Sequence, residues 1–424
     1  MILTVFRVRS FRFQMPADLL TSWAFEMETL ILGWYVMVNT GSVLLLTAFA
    51  ALQYLGSLAA PMFGVLGDRL GGRLMLCAMR ATYAAFAALL MFLALSGTLT
   101  PAWVFVIAGL AGIARTNDLV MRNWLIGETI PSHQIVGALG MSRAVMDSAR
   151  VAGALAGAGL STVLGIGPAY AVVTIFYLAG LALTFGVSRS RPVSDPAGGP
   201  TTASFGVPQS SRWRELKDGV IHVLRRPELI AVMWLAFLIN LTAYPASTGL
   251  LPYVAKKVFL VNATGLGWLV ASFSLGGLLA SITIVTTGGS RQPARSTLIH
   301  TAIWYALLLG FGHVRSLEAG LVTLFLTGFV QNMGMISMTA FLLAAAGDRF
   351  RGRVMGVRML AVYGLPLGLV ASGALIERIG YPLTISAFAA VGLIFTLLIG
   401  ITWRASLWRR RAQPAGAVPR PQRV

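Results

Sequence analysis

Residues 64–76 read GVLGDRLGGRLML, a turn of glycine and charge set between two apolar runs, 42–67 and 74–96. Glycine has no Cβ, so Gly64, Gly71 and Gly72 allow the chain to reverse tightly. Asp68, between Arg69 and the preceding apolar run, can cap a neighbouring helix N-terminus and form ion pairs that break and reform. Each flanking run is about the 20 residues that a helix needs to cross the hydrocarbon core. The turn therefore belongs at a membrane surface, and the two runs belong inside the membrane.

Working outward, runs of the same kind recur at 17–40, 101–126, 138–163, 166–187, 228–255, 264–287, 296–313, 317–346, 354–376 and 380–403. The chain is 57% hydrophobic and 11% charged, with mean hydropathy +0.78. A soluble protein of this length would be roughly a quarter charged, so a soluble enzyme is excluded. The expected fold is an all-α membrane protein, with twelve transmembrane helices in two six-helix bundles. A polar stretch divides the bundles, giving 1–187, a linker 188–227, 228–403, and a basic tail 404–424. The linker opens with RPVSDPAGGPTTASFGVPQSS, a flexible composition, and closes with WRELKDGVIHVLRRPE. Trp213, Leu216, Val220 and Val223 fall on one side of that closing segment, as in a surface helix.

The net charge of +19 is unevenly placed. Arg7, Arg9 and Arg12, then Arg69 and Arg73, then the long linker and the tail carry the cations, while turns near Gly41, Gly97 and Gly165 are nearly uncharged. This alternation is the positive-inside pattern and puts both termini in the cytoplasm. It orients the chain rather than binding nucleic acid. Lys256 and Lys257, on the expected outer side, depart from the pattern. The single cysteine, Cys77, excludes an intrachain disulfide framework, and MILTVFRVRSFRF has no small-residue cleavage site of a removed signal peptide.

The halves resemble each other. PSHQIVGALG (131–140) precedes the fifth run and GDRFRGRVMG (347–356) the eleventh; ARVAGALAGAG (149–159) and GLPLGLVASGAL (364–375) follow. Small residues let helix backbones approach closely, which suits central helices that rock and equally suits a static bundle.

Gly64, Leu66, Asp68, Arg69, Gly71 and Arg73 resemble the loop signature of the major facilitator superfamily, G-x-L-x-D-R-x-G-x-R, with Gly72 where a basic residue is usual. RNWLIGETIP (122–131), RELKDGVIHVLRRPEL (214–229), LPYVAKKV (251–258), GLGWLVASFSLGGLL (265–279) and RFRGRVMGVRMLAVYGLPLG (349–368) are similar to the secretion-effector branch. That branch includes enterobactin-type siderophore exporters and macrolide-type efflux proteins, and the resemblance covers about Phe6 to Trp403. Val120 stands where the branch has a proline, and TTGGSRQPARS (286–296) lacks the motif's Asp in the second half. The resemblance implies a secondary active transporter, not an enzyme, that exports a small, partly apolar drug or siderophore-like molecule. It would work by alternating access, coupled to proton influx. Asp68 would meet the start of the eleventh helix near Arg351, Gly352 and Arg353, with Arg122 as a further charge partner. An importer, a lipid flippase or a non-transporting scaffold of the same fold would fit the same motif. The implied setting is the bacterial inner membrane, with protons, a small-molecule substrate and the lipid bilayer as partners, a monomeric state and no cofactor.

Ionisable residues inside a membrane are costly and mark functional candidates. The first run, WAFEMETLILGWYVMV (23–38), carries Glu26 and Glu28, which lie about 200° apart on a helix and cannot share a face. Thr21, Tyr35 and Asn39 share the Glu28 stripe; Ser22, Thr29, Gly33 and Thr40 lie nearer Glu26. The Glu28 stripe is the expected cavity lining. Either carboxylate could exchange a proton, attract a cationic substrate, or form a structural salt bridge. Arg115, Asp118 and Arg122 share one face of the fourth run, and Asp147 and Arg150 repeat the i, i+3 spacing on the fifth. These clusters fit a gating network and a static one equally. Arg115 is the expected partner of a first-run glutamate. In the second half Asn240, Tyr244, Gln331 and Asn332 are candidate cavity residues; Trp268, Phe273, Trp304 and Phe329 could stack on a substrate or pack. His300 has no second ligand at metal spacing, so no metal site is expected. No Walker A sequence supports ATP drive.

Overall fold

Backbone polar groups find no water in a bilayer core, so a chain this apolar must satisfy them within helices. The computed structural model describes residues 6, 8–56, 71–130, 135–187, 217, 219–290, 292–347 and 350–408, and the regular structure among them is helical. The first half comprises α1 (Arg9–Thr40), α2 (Val43–Leu52), α3 (Gly72–Leu95), α4 (Pro101–Thr129), α5 (Ile135–Val163) and α6 (Ile166–Phe185). The second comprises α7 (Pro227–Val258), α8 (Ala263–Thr287), α9 (Pro293–Phe311), α10 (Leu317–Ala346), α11 (Arg351–Ala361 continued by Gly364–Ile379) and α12 (Tyr381–Thr402). Among the described residues, 8 of these helices are long and apolar enough to cross a membrane, and α2 is a shorter apolar helix. The chain is a multi-pass membrane protein.

Three helices differ from their hydropathy outlines for identifiable reasons. The first run is expected from residue 17, yet α1 starts at Arg9 and carries Pro16 inside it, because a helix can extend past its apolar part. α7 is α-helical to Leu238 and then takes wide π turns at Ile239–Ala243, Pro245–Gly249 and Val254–Val258. Pro245 and Pro252 lack the N–H that a regular turn would donate, which disrupts the ladder there. α11 is built from Arg351–Ala361 and Gly364–Ile379. Pro366 cannot donate to the Val362 carbonyl, and the chain turns at that point.

The reversal between α1 and α2 rests on Gly41 at φ 65°, after which the Ser42 hydroxyl accepts from the Leu45 N–H and caps α2. Gly71 at φ 81° opens α3, and Arg73 donates to the Phe185 carbonyl at 2.6 Å, tying the start of α3 to the end of α6. Gly64, Asp68 and Arg69 lie outside the described residues.

One apolar core lies in the first half, and the core of the second also takes in Leu30, Val43, Ala154 and Ala158 of the first. In the first, α1 packs on α5 and α6, and α3 on α6; in the second, α8 packs on α10, and α9 on α10 and α12. The halves meet through α5 against α8 and α2 against α11. Both small-residue stretches singled out in the sequence, 149–159 and 364–375, therefore lie on joining helices. A Cβ at Gly267 would sit 2.5 Å from the Ala158 Cβ, and one at Gly373 would sit 2.1 Å from the Thr47 hydroxyl. Only hydrogen fits at either position.

Hydrogen bonds between the halves gather at the end bearing the α1–α2 turn. The Ser42 hydroxyl donates to Glu377 at 2.9 Å, the Leu44 N–H donates to the same carboxylate at 3.3 Å, Lys256 donates to the Val38 carbonyl at 3.3 Å, and Thr264 donates to Thr162 at 3.2 Å. The described residues thus show the halves closed at this end. Gly373→Val is expected to force α2 from α11, weakening the closure by about 1–3 kcal/mol as overpacking does. Faster alkylation of a cysteine placed at Ser42 would report it; an unchanged rate would show that the contact does not hold the end shut.

Candidate functional site

Each charge placed at the centre of a lipid-spanning helix costs on the order of 2.5–3.5 kcal/mol, so intramembrane charges are expected in pairs. The first half pairs Asp18, Glu26, Glu28, Asp118 and Asp147 with Arg80, Arg115, Arg122, Arg143 and Arg150. They form three groups with different surroundings.

The first group lies inside the bundle. Arg115 on α4 meets Glu28 on α1 at 2.9 Å, and the Tyr177 hydroxyl of α6 donates to the same oxygen at 2.7 Å. Arg115 also donates to Gln53 at 3.0 Å, and its guanidinium lies 3.4 Å from the centre of the Phe25 ring. The two charged side chains are 6% and 7% exposed. Glu28 therefore meets the arginine expected for a first-run glutamate, but it faces the bundle core.

The second group joins α1, α3, α4 and α6 nearer the chain's amino terminus. Asp18 pairs with Arg80 and lies 3.6 Å from Arg122; Arg122 also pairs with Asp118 and donates to Ser22 at 2.7 Å. Arg80 reaches Thr184, and Gln14 donates to the Arg122 carbonyl at 3.1 Å. Arg122, expected beside Asp68 and α11, pairs with Asp18 and Asp118, while Asp68 lies outside the described residues. These opposite charges belong to its own bundle and are buried with it.

The third group faces the space between the halves. Arg150 on α5 lies 3.5 Å from Glu26 and 4.0 Å from Asp147, and Arg143 lies 3.4 Å from Asp147. Arg150 is 46% and Glu26 23% exposed, against 7% for Glu28. α5 comes this close because of Gly153, where a Cβ would stand 2.9 Å from the Glu26 Cβ. Tyr54, beyond α2, and Tyr244, on the π-turn segment of α7, are within electrostatic reach of Arg150. Tyr244 belongs to the other half and is backed edge-on by Trp304 at 5.3 Å.

Other expected lining residues make local or structural contacts. Tyr35 donates to the Leu99 carbonyl at 2.8 Å, Asn39 to its own helix at Tyr35, and Thr21 to Ala17. The Glu28 stripe thus turns towards the bundle interior and the α3–α4 turn, contrary to the expectation that it lines the cavity. The first helix has two inward sides, and spacing alone cannot rank them. Asn240 donates to Ala236 within α7, and Asn332 donates to Gly277 at 2.6 Å and Ser281 at 2.9 Å, joining α10 to α8. Gln331 is its neighbour on α10, with its carbonyl oxygen buried. Trp304 is 1% exposed and Trp268 is 52% exposed. At the start of α11, Arg353 lies 5.4 Å over the Phe350 ring, next to Arg351 and Gly352.

Asp18, Arg80, Tyr177 and Arg358 escaped the sequence reading. Asp18 and Arg80 are charges in otherwise apolar runs and carried the same signal as Glu26. Arg358 was absorbed into a motif, and nothing in the sequence singles out Tyr177 among the phenols.

Two helical halves joined at α5–α8 and α2–α11, closed at one end and lined with paired charges, define a membrane transporter of the two-bundle class. The chain belongs to the Major Facilitator Superfamily, whose profile matches residues 19–259. Its fold is similar to an auto-inhibited POT family peptide transporter (TM-score 0.70, 14% identity, 97% of this chain and 99% of that one). It is similar also to a bacterial homologue of the human lysosomal transporter Spinster in an inward-facing, unoccupied conformation (0.67, 14%, 95% and 98%). A D-xylose–proton symporter shares the fold as well (0.66, 14%, 92% and 97%). At these identities the likeness is one of fold. No protein of curated function matches the chain in sequence.

Proposed function

We propose that the chain is a secondary active exporter of a small, partly apolar molecule, driven by proton influx. The observation that carries this reading is the Glu26–Arg150 pair. It is the part of the intramembrane charge system that is partly exposed between the halves, with Tyr244 of the second half in reach. A carboxylate there can hold either a proton or the arginine. With Glu26 ionised, its negative charge holds Arg150; with a proton on its carboxylate oxygen, that attraction is lost and Arg150 can turn to Tyr244 of the other half. Proton uptake on one side and release on the other would couple the gradient to the rocking of the halves. Drive by protons accords with a symporter of that kind among the fold's relatives.

The basic turns and tail orient the termini to the cytoplasm of a bacterial inner membrane, so the closed α1–α2 end faces outward and the cleft opens inward. The secretion-effector resemblance supplies the direction, export, and a drug or siderophore-like cargo; the carrier acts as a monomer. Asp68, by the same resemblance, closes the cytoplasmic side against the start of α11, and Asp68→Asn is expected to weaken transport in a folded protein.

The test is reconstitution into vesicles holding a pH-sensitive dye, with an imposed pH gradient. A macrolide and a catecholate siderophore serve as trial cargo. Saturable proton movement on adding either one is the expected result. Gradient-driven movement of neither cargo overturns the reading.

A further inference from the structure

Among the described residues, the intramembrane carboxylates of the first half are paired with arginines, but the second half holds an intramembrane cation without such a partner. Arg358 sits on α11, seven residues past Arg351, about 10 Å into the helix at 1.5 Å per residue. It is half-buried. Its guanidinium donates to the Thr339 hydroxyl of α10 at 2.8 Å, and among the described residues no carboxylate lies within ion-pair distance. Thr339 in turn donates to the Met335 carbonyl at 2.9 Å, so its oxygen is oriented to accept from the arginine. A hydroxyl fixes the guanidinium in place without neutralising it.

Arg358 is in electrostatic reach of Tyr244, and Tyr244 is in reach of Arg150 across the cleft. The two arginines thus stand on opposite halves, each within electrostatic reach of the same phenol, itself backed by Trp304. Glu26 and Asp147 compensate Arg150, whereas among the described residues no carboxylate pairs with Arg358. A guanidinium is a fork of donors matched to a carboxylate and stays charged at every working pH.

We infer that Arg358, oriented by Thr339, binds the carboxylate of an amphipathic anion whose apolar part lies against Tyr244. This deepens the export reading, since it names the substrate class of the same cleft.

The test measures binding to the purified, detergent-solubilised full chain, with no gradient. Benzoate, naphthoate and carboxyfluorescein are each compared with the corresponding amide. The expected result is saturable binding of at least one acid in preference to its amide. Arg358→Gln should weaken acid binding at least tenfold, while Arg358→Lys retains part of it and Thr339→Val gives an intermediate loss. Size-exclusion profiles of the variants show that each is folded. If no acid is preferred to its amide, or if the preference survives Arg358→Gln in a folded protein, the proposal is overturned. Because binding here needs neither a gradient nor a direction, failure of proton-driven export leaves this result standing, and failure here leaves the export test untouched.

Discussion

Asp18→Leu is expected to destabilise the first bundle by about 3–5 kcal/mol, the cost of removing one partner from a buried ion pair. Asp18 is 2% exposed and serves two cations, Arg80 and Arg122, which join α1 to α3 and α4. Without it, Arg80 keeps, among the described residues, the neutral partners Thr184 and the Gly180 carbonyl, in a 0% exposed site. Arg122 would lean entirely on Asp118. Asp18→Asn retains an acceptor and is expected to cost less. Adding Arg80→Met to Asp18→Leu should recover part of the loss, because the stranded charge is then gone. Thermal unfolding in detergent reads all three. An Asp18→Leu midpoint equal to the parent would mean that the pair contributes nothing to the fold.

The second large effect separates the two glutamates of α1. Glu26→Gln is expected to leave the fold intact, since its carboxylate is partly exposed and Arg150 keeps Asp147. Gradient-driven flux in that variant should fall by about tenfold or more, equal to about 1.4 kcal/mol on the barrier of the coupled step. Glu28→Gln should behave in the opposite way. It strips Arg115 of its carboxylate in a site 6% exposed, so the loss appears in stability first, and residual carrier retains its response to the gradient. If Glu28→Gln abolished coupling in a stable protein while Glu26→Gln had no effect, the assignment would be reversed.

Much of the fold was legible because lipid imposes a simple rule on sequence. Runs of apolar residues marked the helices, and small residues at 149–159 and 364–375 marked the joining ones. Helix ends were less legible, since Arg9–Pro16 is helical without being apolar, and hydropathy carries no trace of the π turns after Leu238. In the site, opposite charges in neighbouring spans were enough to anticipate Arg115 with a first-run glutamate. Which glutamate it would meet was not legible. Glu26 and Glu28 differ only in the side of α1 they occupy, and that depends on Gly153 admitting α5 against Glu26 while α4 and α6 enclose Glu28. Arg122 shows the same limit. Its spacing from Asp118 was visible, but its second partner, Asp18, lies on a helix more than one hundred positions earlier.

The central claim is that the halves alternate about the cleft under the control of Glu26. Spin labels on cysteines replacing the exposed neighbours Leu45 and Ile379 bracket the closed end most directly and leave Ser42 and Glu377 in place, with the buried Cys77 as the background thiol. Distances measured by electron double resonance at acid and alkaline pH should show two populations, one short as in this structure and one longer. Their balance should shift with pH and lose that shift in Glu26→Gln. A single short distance at every pH, unchanged in Glu26→Gln, would contradict the account.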